Sequence, residues 1–190
     1  MDLIIATNNN GKLKEFREIL KDKFDNIYGL AEKNINIEIE ETGKTFQENA
    51  LIKAKTIAEI ANIPALGDDS GLCVEALNGA PGIYSARYAG EECDWKQNNL
   101  KIVKDMAGIK NRNAYFIASL VLYYPDGKTV TAEGRAYGKL LESPRGDKGF
   151  GYDPLFLSDE LGVTFAEADS DVKNKVSHRA KAIKALLEQL

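Results

Sequence analysis

The chain has 190 residues, of which 44% are hydrophobic and 28% are charged, and these values indicate one globular domain over residues 1–190, or at most one domain split into two lobes. Its 25 lysines and arginines against 29 aspartates and glutamates give a net charge of −4, which argues against a protein that coats nucleic acid or an anionic membrane. The longest nearly apolar run, residues 114–124, is shorter than the ~18–20 residues of a spanning helix. The N-terminus has no basic region before its apolar run, so we expect a cytoplasmic protein.

The residues available for catalysis or metal binding are restricted. Two cysteines, Cys73 and Cys93, match no zinc spacing and exclude a disulfide framework. The single histidine, His178, lies near the C-terminus. Metal-assisted chemistry through carboxylates is therefore favoured over a serine–histidine relay.

The first half of the chain alternates predicted strands and helices. Residues 3–6 predict a buried strand, and a polar loop follows it and leads into a helix with an apolar stripe from Leu13 to Leu20. The isoleucines between 35 and 39 alternate with polar residues, which predicts a half-buried strand that Glu41 continues. A long amphipathic helix is expected over residues 45–61.

The second half adds antiparallel pairing to this pattern. Residues 65–67 predict a short strand that ends at Asp68-Asp69-Ser70-Gly71, before an extended pattern resumes. Asp94 is a candidate cap for a helix ending near Gly108, and residues 114–124 and 129–137 predict a hairpin. Ser177 is expected to cap a last helix. The sequence predicts an α/β fold with a central mixed β-sheet flanked by helices and active groups on loops at strand ends.

The loop after the first strand is a candidate phosphate site. It connects a predicted strand to a helix, so backbone N–H groups and the helix N-terminus offer partial positive charge to an anion. Lys12 in the first helical turn opposes the helix dipole, and a bound phosphate would offset this cost. A solvated, asparagine-rich loop is the alternative. No Walker A sequence or G-x-G-x-x-G motif is present.

Adjacent carboxylates after the third predicted strand are candidate metal ligands. Asp68 and Asp69 would repel each other if buried, and a bound cation resolves that repulsion. Magnesium takes one or two carboxylates and completes its shell with water and substrate phosphate. Glu41 is the second candidate ligand, and Glu40 is the neighbouring alternative. A simple Asx turn also fits this pattern.

Two segments near the C-terminus could recognise a base. Phe150-Gly151-Tyr152-Asp153-Pro154 combines aromatics and a carboxylate in a glycine-rich loop, although aromatics in loops more often pack inward than bind a ligand. Ser177-His178-Arg179, preceded by Lys173, concentrates donors at a helix start, which a capped helix with solvated basic residues would also explain. Together with the phosphate loop and the carboxylates, these segments fit a nucleoside triphosphate.

The same residues resemble the inosine/xanthosine triphosphate pyrophosphatase family, which removes non-standard purine nucleotides. The resemblance covers nearly the whole chain. It is carried by Thr7-Asn8-Asn9-Asn10-Gly11-Lys12, Glu41-Thr42-Gly43, Thr45-Phe46, Glu48-Asn49-Ala50, Asp68-Asp69-Ser70-Gly71-Leu72, Gly79-Ala80-Pro81-Gly82, Ser85-Ala86-Arg87-Tyr88 and the two C-terminal segments. It implies hydrolysis of ITP, dITP and XTP to monophosphate and pyrophosphate with Mg²⁺. It also implies a homodimer in which each chain has two lobes around a substrate cleft.

The resemblance further implies a role for each matching residue. Glu41 and Asp69 would bind the metal, and Asp69 would also activate water. Substrate would be bound by the N-terminal loop and by residues distributed along the chain: Thr7, Asn8, Asn9, Asn10, Gly11, Lys12, Lys53, Ser70, Phe150, Gly151, Tyr152, Asp153, Lys173, His178 and Arg179. Two alternatives remain open: a pyrophosphatase for another modified or pyrimidine triphosphate, and a noncatalytic nucleotide sensor.

Overall fold

A six-stranded mixed sheet organises the protein, which we describe from a computed structural model of residues 1–190. The strands are arranged in the order β2-β1-β3-β4-β5-β6. β1 pairs in parallel with β2 and β3, whereas β5 and β6 are antiparallel. The strands are β1 (Asp2–Ile5), β2 (Asn26–Tyr28), β3 (Ala65–Val74), β4 (Asn113–Tyr123), β5 (Thr129–Leu140) and β6 (Phe156–Ser158). The helices are α1 (Asn10–Leu20), α2 (Phe46–Ala61), α3 (Trp95–Asp105), α4 (Ser170–Val176) and α5 (His178–Leu187). No helix has the length and apolar character needed to cross a membrane.

Local capping signals explain where three of the helices begin. Thr45 caps α2 by accepting the Glu48 N–H, and Asp94 begins α3 with a reciprocal capping box to Gln97. Ser177 Oγ accepts the Ala180 N–H at 3.1 Å at the start of α5. The predicted caps Asp94 and Ser177 are confirmed, as are the strand near the N-terminus and the hairpin formed by β4 and β5, whereas the Thr45 cap was not predicted.

The predicted strand through residues 35–41 is wrong. This segment contributes no strand to the sheet, although its side chains keep the expected alternation between burial and exposure. Ile35 is buried in a cluster with Ile57 and Ala58 of α2, and Ile37 and Ile39 pack against that cluster. The alternation therefore arises because an extended segment packs on a helix, and it does not require a paired strand.

The acidic pair is also placed differently from the prediction. Asp68-Asp69-Ser70 lies in the middle of β3, which runs without interruption from Ala65 to Val74. The carboxylates are therefore not at a strand end. The short strands β2 and β6 and the helix α4 have no counterpart among the predicted elements.

The chain is organised in two compact units. The first unit comprises Met1–Asp69, Ala118–Gly134 and Ala182–Leu190, and the second comprises Ser70–Ile117 and Arg135–Lys181. Each unit has its own apolar core.

Two core clusters of the first unit position α1 and α2 on opposite faces of the sheet. Leu66 of β3 packs with Phe16 and Leu20 of α1. Its neighbour Ala65 packs with Ile57 of α2. Because consecutive residues of a strand point to opposite faces, α1 covers one face of β3 and α2 covers the other.

A glycine of β3 allows α2 to pack closely. A Cβ atom at Gly67 would lie 2.0 Å from the carbonyl oxygen of Ala50 and 3.0 Å from the Ala54 nitrogen. No side chain fits between strand and helix at this point. Residues that follow Gly67 in β3 consequently lie within reach of short side chains on α2.

Candidate active site

The N-terminus of α1 holds a lysine beside a buried carboxylate. Asn9 caps α1 by accepting the Lys12 N–H at 3.0 Å, and Thr7 Oγ1 accepts the Asn9 N–H at 3.1 Å. Lys12 Nζ lies 3.1 Å from Asp68 Oδ2. The first turn of α1 contains no acidic residue, so the positive end of the helix dipole and the Lys12 ammonium reinforce each other. Of the remaining predicted loop residues, Asn8 and Asn10 are exposed and Gly11 is half-buried.

The two adjacent aspartates interact with different helices. Asp68 points to the same face of β3 as Leu66 and forms an ion pair with Lys12 of α1. Asp69 points to the same face of β3 as Ala65, toward α2. Lys53 Nζ of α2 lies 3.7 Å from Asp69 Oδ1. Both carboxylates are buried, at 1% and 5% exposure. The expected mutual repulsion is reduced because each carboxylate has a lysine on its own face of the sheet.

Glu41 completes a three-residue cluster around Lys53. The Lys53 Nζ atom is 2.6 Å from Glu41 Oε1, and Lys53 is mostly buried. Glu40 is exposed, whereas Glu41 is half-buried. The structure therefore brings together Glu41, Lys53 and Asp69 and leaves Glu40 on the surface.

The environment of Asp69 suits a proton acceptor. Burial raises the pKa of the Asp69 carboxyl above its ordinary value, and the Glu41 carboxylate raises this pKa further. The Lys53 and Lys12 ammonium groups and a hydrogen bond from Asn49 act in the opposite direction. A carboxylate whose pKa is raised accepts a proton more readily than a free aspartate does.

The cluster around Lys53 has the donor chemistry of a small magnesium site. Glu41 and Asp69 already share a cation, the Lys53 ammonium, and both present the hard oxygen atoms that Mg²⁺ prefers. No group of three or more histidine, cysteine, aspartate or glutamate side chains is arranged to hold a metal. Two carboxylates fit Mg²⁺, which commonly retains several waters and binds substrate phosphate.

In the second unit, a buried ion pair organises the aromatic loop. Lys173 Nζ lies 2.6 Å from Asp153 Oδ2, and the Phe150 N–H donates to the same oxygen at 3.1 Å. The Lys173 ammonium also lies 5.0 Å from the centre of the Phe150 ring. A side chain at Gly149 would collide with Asp153, because its Cβ would lie 2.1 Å from Asp153 Oδ2.

The start of α5 brings basic groups to the same unit. Arg179 is 1% exposed, and its Nη2 donates to Ser70 Oγ at 3.0 Å. The Arg179 guanidinium is 6.0 Å from the centre of the Phe150 ring. His178 stacks on Phe116 with a centroid distance of 4.8 Å. Ser70, Phe150 and Arg179 are thus neighbours although they are distant in sequence.

Tyr152 is a core residue of this unit. It is buried, its hydroxyl donates to the Ser85 carbonyl at 2.7 Å, and its ring meets Trp95 edge to face at 5.5 Å. The inward-packed alternative considered for this loop therefore describes Tyr152 correctly. The adjacent Gly151 has a φ of +64°, and the Trp95 ring would lie 3.6 Å from a Cβ atom there.

The sequence pattern predicted no role for Asn49. Its Nδ2 donates to Asp69 Oδ2 at 3.0 Å, and its Oδ1 accepts the Gly43 N–H at 2.8 Å. The available signal was its position four residues before Lys53, which puts a polar side chain on the same helix face as that lysine. Asn49 lies within the Glu48-Asn49-Ala50 segment that carries part of the family resemblance, but the pattern alone does not show what Asn49 contacts.

The fold and these clusters define a mixed α/β protein with buried carboxylate–lysine pairs in one unit and an aromatic, basic cluster in the other. The Ham1 family model matches residues 3–189, and this chain belongs to the Ham1 family.

Individual relatives agree with this assignment. The dITP/XTP pyrophosphatase of Bacillus subtilis is 47% identical over 191 residues, covering 100% of this chain and 96% of the relative. The Staphylococcus aureus Ham1 protein superposes with a TM-score of 0.86 at 38% identity, covering 100% of this chain and 99% of that structure. A HAM1 protein from Coxiella burnetii gives a TM-score of 0.88 at 36% identity, with 100% of both chains covered.

Proposed function

We propose that this protein hydrolyses non-standard purine nucleoside triphosphates (dITP, ITP and XTP) to the monophosphate and pyrophosphate, with Mg²⁺ as cofactor. Membership of the Ham1 family and the printed name of the B. subtilis relative support this proposal. The structural observation that carries it is the position of Asp69. Its buried carboxylate lies 3.7 Å from the Lys53 ammonium, which also contacts Glu41.

The first unit supplies the positive charge and the metal ligands that a triphosphate requires. Lys12 at the α1 N-terminus and Lys53 on α2 offer positive charge to phosphate oxygens. Glu41 and Asp69 would hold Mg²⁺, which when bound neutralises phosphate charge and stabilises the leaving pyrophosphate. Thr7 and Asn9 fix the turn that aims the first N–H groups of α1.

The chemical step assigned to the protein is a proton transfer to Asp69. A water molecule attacks the α-phosphorus, the new P–O bond forms, and the bond from the α-phosphorus to its bridging oxygen breaks. One proton of the attacking water passes to the Asp69 carboxylate. Pyrophosphate departs with the bridging oxygen, and the monophosphate retains the oxygen from water.

We assign recognition of the base to Phe150, His178 and Arg179 in the second unit. Hypoxanthine and xanthine present an N1–H donor and an O6 acceptor, whereas adenine reverses both positions. We assign Arg179 and His178 as donors to O6, with the Phe150 ring as the stacking surface. Buried polar groups left without a match penalise the wrong base, an effect that reaches ~10⁴-fold in favourable cases. Guanine shares the N1–H and O6 pattern, so its 2-amino group must be the feature that is rejected.

A substrate panel tests the proposal. Pyrophosphate release is measured with Mg²⁺ for dITP, ITP, XTP, ATP, GTP and pyrimidine triphosphates, beside an Asp69→Asn control. We expect the three non-standard purines to lead, and Asp69→Asn to lose ~10²–10⁴-fold in turnover. Preference for a pyrimidine triphosphate would favour the related-pyrophosphatase alternative. Tight nucleotide binding without pyrophosphate release would favour the nucleotide sensor.

Cytoplasmic location and homodimeric assembly belong to the same proposal. The family resemblance supports the dimer, and light scattering on the purified protein measures it. A mass of twice 20.9 kDa is expected, and a mass of 20.9 kDa would contradict the dimer.

A further inference from the structure

Asn49 is an unusual residue for its position in α2. It is fully buried at 0% exposure, one residue before the equally buried Ala50. Asparagine is a poorer helix former than alanine, and burying a carboxamide is costly unless its polar atoms are hydrogen-bonded. Two specific contacts offset that cost here.

The orientation of the Asn49 carboxamide is fixed by its two partners. The Gly43 backbone N–H can only donate, so it must face Oδ1, at 2.8 Å. Asp69 Oδ2 then receives a hydrogen bond from Nδ2, at 3.0 Å. The flipped amide would place an oxygen against the carboxylate and an NH₂ group against an N–H. Asn49 therefore joins a loop backbone to a buried carboxylate in one defined geometry.

Gly43 lacks a side chain because the loop approaches the helix closely. A Cβ atom on Gly43 would lie 2.6 Å from Asn49 Oδ1 and 2.7 Å from Glu48 Cβ. Its φ is not positive, so close approach is the reason for glycine here. The loop is held at a second point, since the Lys44 N–H donates to Glu48 Oε2 at 2.6 Å.

Helix geometry places two contacts to Asp69 on one rigid element. Asn49 and Lys53 are four residues apart and share a face of α2. Asn49 meets Asp69 Oδ2, while Lys53 lies near Oδ1 and contacts Glu41, two residues before Gly43. The Asp69 carboxylate and the Glu41 segment are therefore both held by α2.

We propose that Asn49 is a positioning residue that couples the Gly43 backbone to the Asp69 carboxylate, so that Glu41 and Asp69 keep a fixed separation. This inference rests on the proposed function, because it assigns Asn49 to the same reaction. A hydrogen bond to a carboxylate is stronger than a neutral one and restricts its rotation. Displacement of a reacting group by about 1 Å is enough to cost ~10²-fold in rate.

Two substitutions separate the two contacts of Asn49. Asn49→Ala removes both, whereas Asn49→Asp keeps an oxygen for the Gly43 N–H and replaces the donor to Asp69 with a second oxygen. Gly43→Ala disturbs the same contact from the loop. Asn98 provides a matched control: it is also fully buried, and it bridges the Ala89 N–H at 2.7 Å and the Ala86 carbonyl at 3.0 Å in the second unit.

The first measurement is amide hydrogen exchange of Gly43 in the nucleotide-free protein. We expect Asn49→Ala to accelerate Gly43 exchange at least ~10-fold, because its acceptor is lost. Asn49→Asp should retain protection of the Gly43 amide, and Asn98→Ala should leave the Gly43 exchange rate unchanged.

The second measurement is steady-state kinetics with dITP. Asn49→Ala, Asn49→Asp and Gly43→Ala should lower kcat by ~10–10²-fold with KM within about two-fold, while Asn98→Ala should keep kcat.

The outcomes distinguish this inference from the proposed function. If the Gly43 amide of Asn49→Ala exchanges at the wild-type rate, the proposed link between the Gly43 backbone and Asn49 is overturned. Wild-type kcat in Asn49→Asp, or an equal fall in kcat for Asn98→Ala, would overturn the positioning role while leaving the proposed function intact. Wild-type protein that releases no pyrophosphate from any triphosphate would refute the proposed function instead, and the Gly43 exchange rates would still report on the link between the Gly43 backbone and Asn49.

Discussion

Lys173 and Asp153 form an ion pair that is buried on both sides, with Nζ 2.6 Å from Oδ2 and side-chain exposures of 5% and 4%. Asp153 also accepts a hydrogen bond from the Phe150 N–H, so the ion pair fixes the loop that carries the Phe150 ring, the candidate stacking surface. Removing one member of such a pair leaves a buried charge without its counter-ion, which typically destabilises a protein by ~3–5 kcal/mol.

We therefore expect Lys173→Met to lower the free energy of unfolding by ~3–5 kcal/mol, measured by urea denaturation. The double variant Lys173→Met/Asp153→Asn should recover much of this loss, because the buried charge is removed. Lys148→Met is the matched control, since Lys148 and Asp169 pair at the surface with exposures of 50% and 72%. Equal losses for Lys173→Met and Lys148→Met would contradict the buried pair.

Glu41 and Glu40 provide a second matched comparison. Glu41→Gln should raise the Mg²⁺ concentration needed for half-maximal activity, because a negatively charged oxygen beside Lys53 is lost. Glu40→Gln, at an exposed neighbouring position, should leave the Mg²⁺ titration unchanged. A shift for Glu40→Gln alone would transfer the metal role to Glu40.

Lys12 should act on every triphosphate alike. Its ammonium lies at the α1 N-terminus beside Asp68, where it can contact phosphate but carries no information about the base. Lys12→Ala should reduce kcat/KM for dITP, XTP and ATP by similar factors, and Lys14→Ala, at 72% side-chain exposure on the same helix, should have little effect. A change in the ratio of dITP to ATP activity that exceeds the overall loss would rule out a phosphate role.

Arg179 should affect the choice of base. If its guanidinium donates to O6, Arg179→Ala should remove ~1–3 kcal/mol of transition-state binding for ITP and XTP while affecting ATP less. The ratio of kcat/KM for ITP to that for ATP measures this. Arg179 also donates to Ser70 Oγ, so Ser70→Ala shows how much of the loss comes from that contact. Equal losses for ITP and ATP would place Arg179 on the phosphates or in the fold.

The sequence predicted the elements with strong local signals. Helix α2 was predictable because its apolar stripe repeats with the helical period, and the structure adds the Thr45 cap at its start. The isoleucines from 35 to 39 alternate in burial as expected, but alternation reports only on packing of an extended chain. Pairing into a sheet depends on a partner strand that the local sequence does not specify.

Some contacts of the candidate site could not be predicted from the local sequence. Asp68 and Asp69 could be identified as a buried acidic pair, yet their separation onto two faces depends on β3 continuing through them. The contact between Asn49 and Asp69 joins residues 20 positions apart and depends on the close packing allowed at Gly67. Tertiary packing, and not residue type, determines these contacts.

Hydrolysis in ¹⁸O-labelled water identifies the phosphorus atom that the water molecule attacks. With dITP as substrate and Mg²⁺ present, ³¹P NMR locates the oxygen that comes from water. We predict the label in the nucleoside monophosphate and unlabelled pyrophosphate, because in the proposed reaction the water activated by Asp69 attacks the α-phosphorus. Label in pyrophosphate, or release of orthophosphate and the diphosphate, would contradict it.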